Sequence, residues 1–440
     1  MQCSVRLPQS SRERLAPSEM AKIRAGRGEQ TVSTTPTGSQ CRMWLLALVV
    51  QNANAMSASG VRTSLAPNGV VQVELDRGGK LNALNRPMWE AIADAVETSP
   101  DAPLVITSAD PKAFSAGGDV TAIAGGPPKD VVDFLHLEYA TLDALRERRN
   151  TIAVSDGIVM GAGAGVFMAC ATRVVTERAR FAMPEVKIAL VPDAGALRFL
   201  SKHCEPAVAR FLAVTGYNLN AHDLVACGLA THFVAAKRDQ LAPLLEELAA
   251  APAGELAVPV DRRCVGQAPA HLATPLFVEA SLAALRSVFG GERCADVAAI
   301  DEKLAAARLE ARGLLGSVGW QTREIAEQVL DLLDVAHAAL AAAPPRALQA
   351  TLDALDAVLA EARTSDDDAA LARFGARVEL AANAVLGTAP DFAEGVACVV
   401  GDRRGEAPAW APRDPAPVRA ALLDLGASLD DVRDAAFAKL

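Results

Sequence analysis

Two carboxylates, Glu185 and Asp193, flank the apolar stretch Ile188-Ala-Leu-Val191 in a segment that opens Phe181-Ala-Met-Pro-Glu185. A carboxylate held among apolar side chains gives up its proton less readily, which suits it to proton transfer or nucleophilic attack near neutral pH. Taken alone, the same pair reads equally as a surface Glu and a helix-capping Asp. Two glycine-rich turns precede it. In Lys112-Ala-Phe-Ser-Ala-Gly-Gly-Asp119, Gly117 and Gly118 let the backbone turn sharply and come close to a ligand. The plainer reading is a strand-to-helix turn with Asp119 as its cap. In Asp156-Gly-Ile-Val-Met-Gly-Ala-Gly-Ala-Gly165 the run from Gly161 opens a helix, and exposed N–H groups there suit a developing negative charge. Its Gly-x-Gly-x-Gly spacing is not the Gly-x-Gly-x-x-Gly of a dinucleotide site, and close helix packing accounts for it as well.

The elements that must position these residues alternate. Val70–Leu75, Leu104–Thr107, Ile152–Ser155, Arg173–Thr176 and Phe181–Met183 read as strands. Helical patterns cover Pro87–Val96, Val131–Arg148 and Gly161–Met168, so a βα-repeat sheet with crossover connections is expected. Beyond residue 205 short helices are predicted at Ala207–Thr215, Ala221–Cys227 and Gln240–Ala250. A Pro-rich stretch, 251–275, reads as a linker. Four longer helices follow at Glu302–Leu315, Gln321–Ala343, Arg346–Ala362 and Ala369–Leu386. Asp366-Asp-Asp368 reads as a helix cap.

Composition narrows the classes. The 440 residues are 51% hydrophobic with a formal net charge of -10, which argues against a nucleic-acid partner. Eight cysteines lie scattered without a Cys-x-x-Cys pair, the pattern of free thiols in a reducing compartment. The six histidines fall singly, so no metal site is expected. Residues 1–60 carry seven basic side chains against three acids, net +4, amid Ser, Thr, Gln and Gly. An Arg- and Ser-rich, acid-poor start resembles an organelle transit peptide. The run Trp44–Val50 also fits a signal-peptide core, and Met20, Met43 and Met56 leave an upstream extension open. No run has membrane length, so no membrane partner is expected.

In order and spacing, the three chemical segments and Leu81-Asn-Ala-Leu84 resemble the crotonase superfamily. Further segments are similar to its 3-hydroxyisobutyryl-CoA hydrolases: Leu137-Glu-Tyr139, Pro192-Asp193, Leu212-Ala-Val-Thr-Gly216, Gly228-Leu-Ala-Thr-His232, Asp391-Phe-Ala-Glu-Gly-Val396 and Ala409-Trp-Ala-Pro412. The resemblance implies an α/β fold, a crotonase-like ββα spiral core with a helical C-terminal region. Residues 1–65 are then a targeting or disordered extension, 66–250 the acyl-CoA-binding catalytic core, and 251–440 the helical region. It further implies a backbone oxyanion hole at Gly118 and Ala162, bordered by the substrate-binding Gly117 and Gly161. Glu185 and Asp193 become the catalytic pair, with Glu185 as nucleophile or general base. Glu138 comes to lie near the substrate hydroxyl, where spacing alone reads it as a solvated helix-face acid.

Enoyl-CoA hydratases carry a further Glu at the position that Gly165 occupies here, so the resemblance implies thioester hydrolysis, that of 3-hydroxyisobutyryl-CoA in valine catabolism. The alternatives are an enoyl-CoA isomerase or hydratase of fatty-acid oxidation, and a non-enzymatic CoA- or RNA-binding relative. No cofactor is implied beyond the coenzyme A of the substrate. A mitochondrial location is implied, with a cytoplasmic one as alternative, and an oligomer is left open. Two departures stand out. Ala194-Gly-Ala-Leu-Arg198 replaces a longer Gly run, and Asp156-Gly157 stands where His-Gly is common.

Overall fold

The computed structural model describes residues 59–432 apart from 99, 236–240, 253, 254, 256, 264–273, 292–295, 317, 318, 412, 413, 424 and 426–430. The proposed targeting segment therefore lies outside the described residues up to 58. Strand β1 (Val61–Leu65) nonetheless falls within the stretch assigned to the extension. It pairs antiparallel with β2 (Val71–Leu75), so the core begins earlier than expected. Its inner positions are Arg-Thr-Ser, whose polarity hid an edge strand.

The chain continues through α1 (Arg86–Thr98), β3 (Leu104–Ser108), β4 (Ala113–Ser115), α2 (Pro128–Glu147), β5 (Thr151–Ser155), β6 (Ile158–Met160), α3 (Ala162–Ala169), β7 (Thr172–Val175) and β8 (Arg180–Ala182). Then come α4 (Ala196–His203), α5 (Pro206–Thr215), β9 (Leu219–Asn220), α6 (Ala221–Ala226) and β10 (His232–Phe233). One sheet runs in the order β1-β2-β3-β5-β7-β10, and the other β4-β6-β8-β9. From β3 to β8, consecutive strands alternate between the sheets, and like strands pair in parallel. Each ββα unit thus adds one strand to each sheet, which is a spiral. Parallel strands covered on both faces need apolar runs, and every residue of β5 is buried.

Helices make up the rest: α7 (Leu241–Ala250), α8 (Ala257–Arg263), α9 (Glu279–Phe289), α10 (Val297–Leu314), α11 (Trp320–Ala342), α12 (Pro345–Thr364), α13 (Asp368–Leu386), α14 (Pro390–Val399) and α15 (Ala416–Leu423). Helix α8 interrupts the stretch read as a linker. Asp367 caps α13 by accepting the N–H groups of Ala369 and Ala370 at 2.9 and 3.0 Å. The fully buried Arg210 of α5 bonds Asp356 of α12 at 2.7 Å and the Phe289 carbonyl at 2.7 Å, tying the core to the helical region. Among the described residues no helix is long and apolar enough to cross a membrane.

Candidate active site

The first wall of the site is backbone. Leu81 and Asn82 adopt left-handed conformations, with φ of 50° and 54°. The buried Asn82 side chain accepts the Arg77 N–H at 2.7 Å and donates to Ser108 Oγ at 2.8 Å and the Phe114 carbonyl at 3.0 Å. So held, the Leu84 N–H donates to the Gly117 carbonyl at 2.7 Å, and the Asp119 N–H to the Leu84 carbonyl at 2.9 Å. That ladder skips the Gly118 N–H. Ala162 is the first residue of α3, where an N–H has no partner within the helix. Neither N–H finds an acceptor among the described residues. A Cβ placed on Gly117 would lie 3.7 Å from the Ala162 nitrogen, so the two turns face each other closely. Asp119 makes no side-chain cap bond. Instead, Arg77 holds it at 2.7 Å.

The second wall is carboxylate. Glu185 starts the 3-10 turn Glu185–Ile188, and its Oε1 would sit 2.8 Å from a Cβ on Gly161. Only glycine leaves it that room. Glu138 is no solvated acid: it is 2% exposed. Val131, Leu135, Glu138, Leu142 and Leu145 share one buried stripe of α2, so the helical period that buries the leucines buries the acid too. Glu138 Oε1 and Glu185 Oε2 are buried without a hydrogen-bond partner. Asp193 accepts from Asn383 Nδ2 at 3.4 Å.

Burial pushes all these carboxyls up. Glu138 lies well above the ordinary glutamate range through desolvation first, then through Asp193, Glu185 and Glu379. Glu185 is raised by desolvation, then by Asp193. Asp193 is pushed up to about 7 by burial, against the opposing backbone and Asn383 bonds. Glu379 rises to about 8 from burial, although the N–H groups of Gly195 and Leu197 favour its charge. Four such groups titrate as a cluster rather than one by one.

Between the walls lies a cavity of about 380 Å³ that Gly118, Ala162, Glu138, Glu185 and Asp193 all line. Phe134, Leu135, Leu190 and Phe392 give it apolar sides, and the exposed Lys80 and Arg404 also border it. The sequence-derived site residues Gly117, Gly118, Ala162, Gly161, Glu138, Glu185 and Asp193 are thus brought together. The departures are not. Asp156 pins Thr176 at 2.5 Å and Arg178 at 3.2 Å, apart from the cavity. A Cβ on Gly165 would lie 2.5 Å from the Ala194 Cβ and 2.7 Å from the Ala194 carbonyl oxygen. No side chain fits at 165. Ala194, at φ 56°, fills that space and lines a separate small cavity. Sequence reasoning missed Asn82 as a brace, and Glu379 and Asn383 altogether. The last two are spaced four apart on α13, and that spacing is the signal they carried.

A family model for enoyl-CoA hydratase/isomerase matches residues 70–425. The chain belongs to this family. Carnitinyl-CoA dehydratase from Mycobacterium thermoresistibile shares its crotonase fold, with a TM-score of 0.64 at 23% identity over 84% of this chain and 98% of that one. Enoyl-CoA hydratase from Rhodobacter sphaeroides gives a TM-score of 0.60 at 22% identity over 85% of this chain and 98% of that one. Among curated proteins, mitochondrial 3-hydroxyisobutyryl-CoA hydrolase of Mus musculus is 37% identical over 186 residues, 40% of this chain and 48% of that protein. The small ribosomal subunit protein mS47 of Neurospora crassa is 40% identical over 173 residues, 37% of this chain and 34% of that protein. The matched segments span about half or less of these relatives' lengths.

Proposed function

We propose that this member of the family hydrolyses 3-hydroxyisobutyryl-CoA to 3-hydroxyisobutyrate and CoA. The observation that carries the reading is that Glu185 lines the same cavity as the free N–H groups of Gly118 and Ala162, with position 165 closed to a second acid. In this reading the thioester oxygen sits between the two donors, each worth about 3–4 kcal/mol to an oxyanion. Ionised Glu185 either attacks the carbonyl carbon, giving an acyl anhydride that water cleaves once CoA has left, or takes a proton from the attacking water. The tetrahedral centre then collapses, the C–S bond breaks, and CoA leaves as thiol with a proton that the cluster supplies. Asp193 orients the water or the substrate hydroxyl and passes protons. Glu138, whose hold on its proton is strengthened by burial, pairs with that hydroxyl. The electrostatics come from backbone donors and carboxylates, so the reading assigns no step to a metal or redox cofactor.

The similarity to hydrolases named mitochondrial supports the same compartment and a place in valine catabolism. The ribosomal relative favours a second reading, a non-enzymatic CoA-binding protein, against which the buried, unpartnered Glu185 and Glu138 weigh. CoA release measured across short 3-hydroxyacyl and enoyl thioesters separates these. Thiol release from the 3-hydroxy substrate, lowered by about 100-fold or more in Glu185→Gln, is expected. Isomerisation or hydration without thiol release overturns hydrolysis, and binding without turnover favours the second reading.

A further inference from the structure

Helix α13 grips the segment that carries Asp193. Asn383 Oδ1 accepts the Val191 N–H at 2.9 Å, and its Nδ2 donates to the Val191 carbonyl at 2.9 Å and to Asp193 Oδ2 at 3.4 Å. One turn earlier, Glu379 accepts the N–H groups of Gly195 at 2.8 Å and Leu197 at 2.9 Å. Gly375 and, just past the end of the helix, Gly387 continue the four-residue spacing. A Cβ on Gly375 would lie 3.5 Å from the Arg198 Cβ, and one on Gly387 3.6 Å from the Leu190 Cδ2. One face of α13 therefore follows residues 190–198, close at its ends and hydrogen-bonded in the middle.

The gripped segment needs holding. Ala194 and Gly195 are consecutive left-handed residues, with φ of 56° and 83°. For alanine that conformation is strained and persists only where surroundings impose it. Glu379 and Asn383 are both fully buried, and the two Glu379 oxygens take backbone N–H groups rather than a cation. Apolar side chains would pack α13 without the cost of burying a carboxylate. What they could not do is fix the direction of Asp193.

We infer that Glu379 and Asn383 are positioning residues for Asp193, which makes the C-terminal helical region a working part of the active site. The inference rests on the proposed hydrolysis and deepens it. Besides Asn383, the groups facing Asp193 are Glu185, Glu138, Glu379 and the Tyr139 hydroxyl.

The test follows CoA release from 3-hydroxyisobutyryl-CoA by the full chain. Asn383→Ala and Glu379→Gln should each lower kcat by about 10–100-fold, the scale of a small misplacement, with KM nearly unchanged. Asn383→Ala should also move the rising limb of kcat against pH upward, since the lost bond favours ionised Asp193. On an Asp193→Asn background neither substitution should cost anything further, because each acts through that residue. Glu379→Gln and Asn383→Asp are near-isosteric, and carry the same comparison should Asn383→Ala not fold. Losses that add fully to Asp193→Asn, or an unmoved pH limb, overturn the inference. If Asp193→Asn itself keeps full turnover, the catalytic reading of Asp193 fails instead. If Asp193→Asn is inactive and the α13 variants are fully active, only the positioning role fails.

Discussion

The two walls of the cavity are built in opposite ways. The donor wall is made of backbone whose directions are set nearby, by the Leu84 ladder at Gly118 and the start of α3 at Ala162. The carboxylate wall is made of side chains, and the bond between Val191 and Asn383 closes across 192 residues of sequence. A backbone donor is indifferent to the side chain it carries. A buried carboxylate draws both its place and its proton affinity from what surrounds it.

Paired substitutions test that contrast most sharply. Gly161→Ala places a methyl 2.8 Å from Glu185 Oε1 at a φ of 50°, so it displaces the acid. Turnover should fall by about 100-fold or more. Ala162→Gly, one residue on, keeps its N–H and should change kcat only a few-fold. Equal losses at both positions would contradict the separation of a backbone wall from a side-chain wall. Direct removal of the acid in Glu185→Gln should cost about 10²–10⁴-fold, the range for loss of a general base.

Gly165→Glu probes the boundary between the walls. Supplying the acid that hydratases carry should not bring hydration, because its Cβ would meet Ala194 at 2.5 Å. The expected result is a less stable protein, by about 1–3 kcal/mol in denaturant unfolding. Adding Ala194→Gly should recover only part, since the Ala194 carbonyl oxygen also stands at 2.7 Å. Hydratase activity in Gly165→Glu would mean that the interlock yields.

The pH dependence belongs to the carboxylate wall alone. Asp193 titrates at about 7 in the fold against an ordinary 3.8. Between those values the native state holds a proton that the unfolded chain has released, so stability falls as pH rises through this window. Above it the wild type bears the whole cost of a buried charge. Asp193→Asn should therefore melt several degrees above wild type at pH 8 and close to it at pH 4, by scanning calorimetry. Turnover should rise with pH over the same neutral range, as the cluster ionises.

The contrast also explains what was legible in the sequence. Gly117, Gly118 and Gly161 announce sharp turns because few residues can make them, and the strands around them alternate or run apolar. Glu138 was legible in principle from its place in the apolar stripe of α2, yet charge argued for solvent more loudly than period argued for burial. Strand β1 was hidden by polar inner residues. Glu379 and Asn383 sit in an Ala-rich helix whose pattern says only that one face is buried. Which loop that face would meet depends on long-range packing, and no local pattern encodes it.

The smallest effects should come where the two regions meet solvent. Lys80 leads into the donor wall and Arg404 follows α14, and both exposed cations border the cavity. In the proposed reading they attract the phosphates of coenzyme A. Exposed pairs contribute about 0–1 kcal/mol, so Lys80→Ala or Arg404→Ala should raise KM less than about five-fold and leave kcat alone. Salt should shrink both effects, because the Debye length falls from about 10 Å at 0.1 M to 3 Å at 1 M. If only Lys80→Ala raises KM, the C-terminal region serves the acyl end alone, through Phe392 and the grip on Asp193. If both raise KM and both effects fade with salt, that region takes part in holding the carrier as well as in aligning the chemistry.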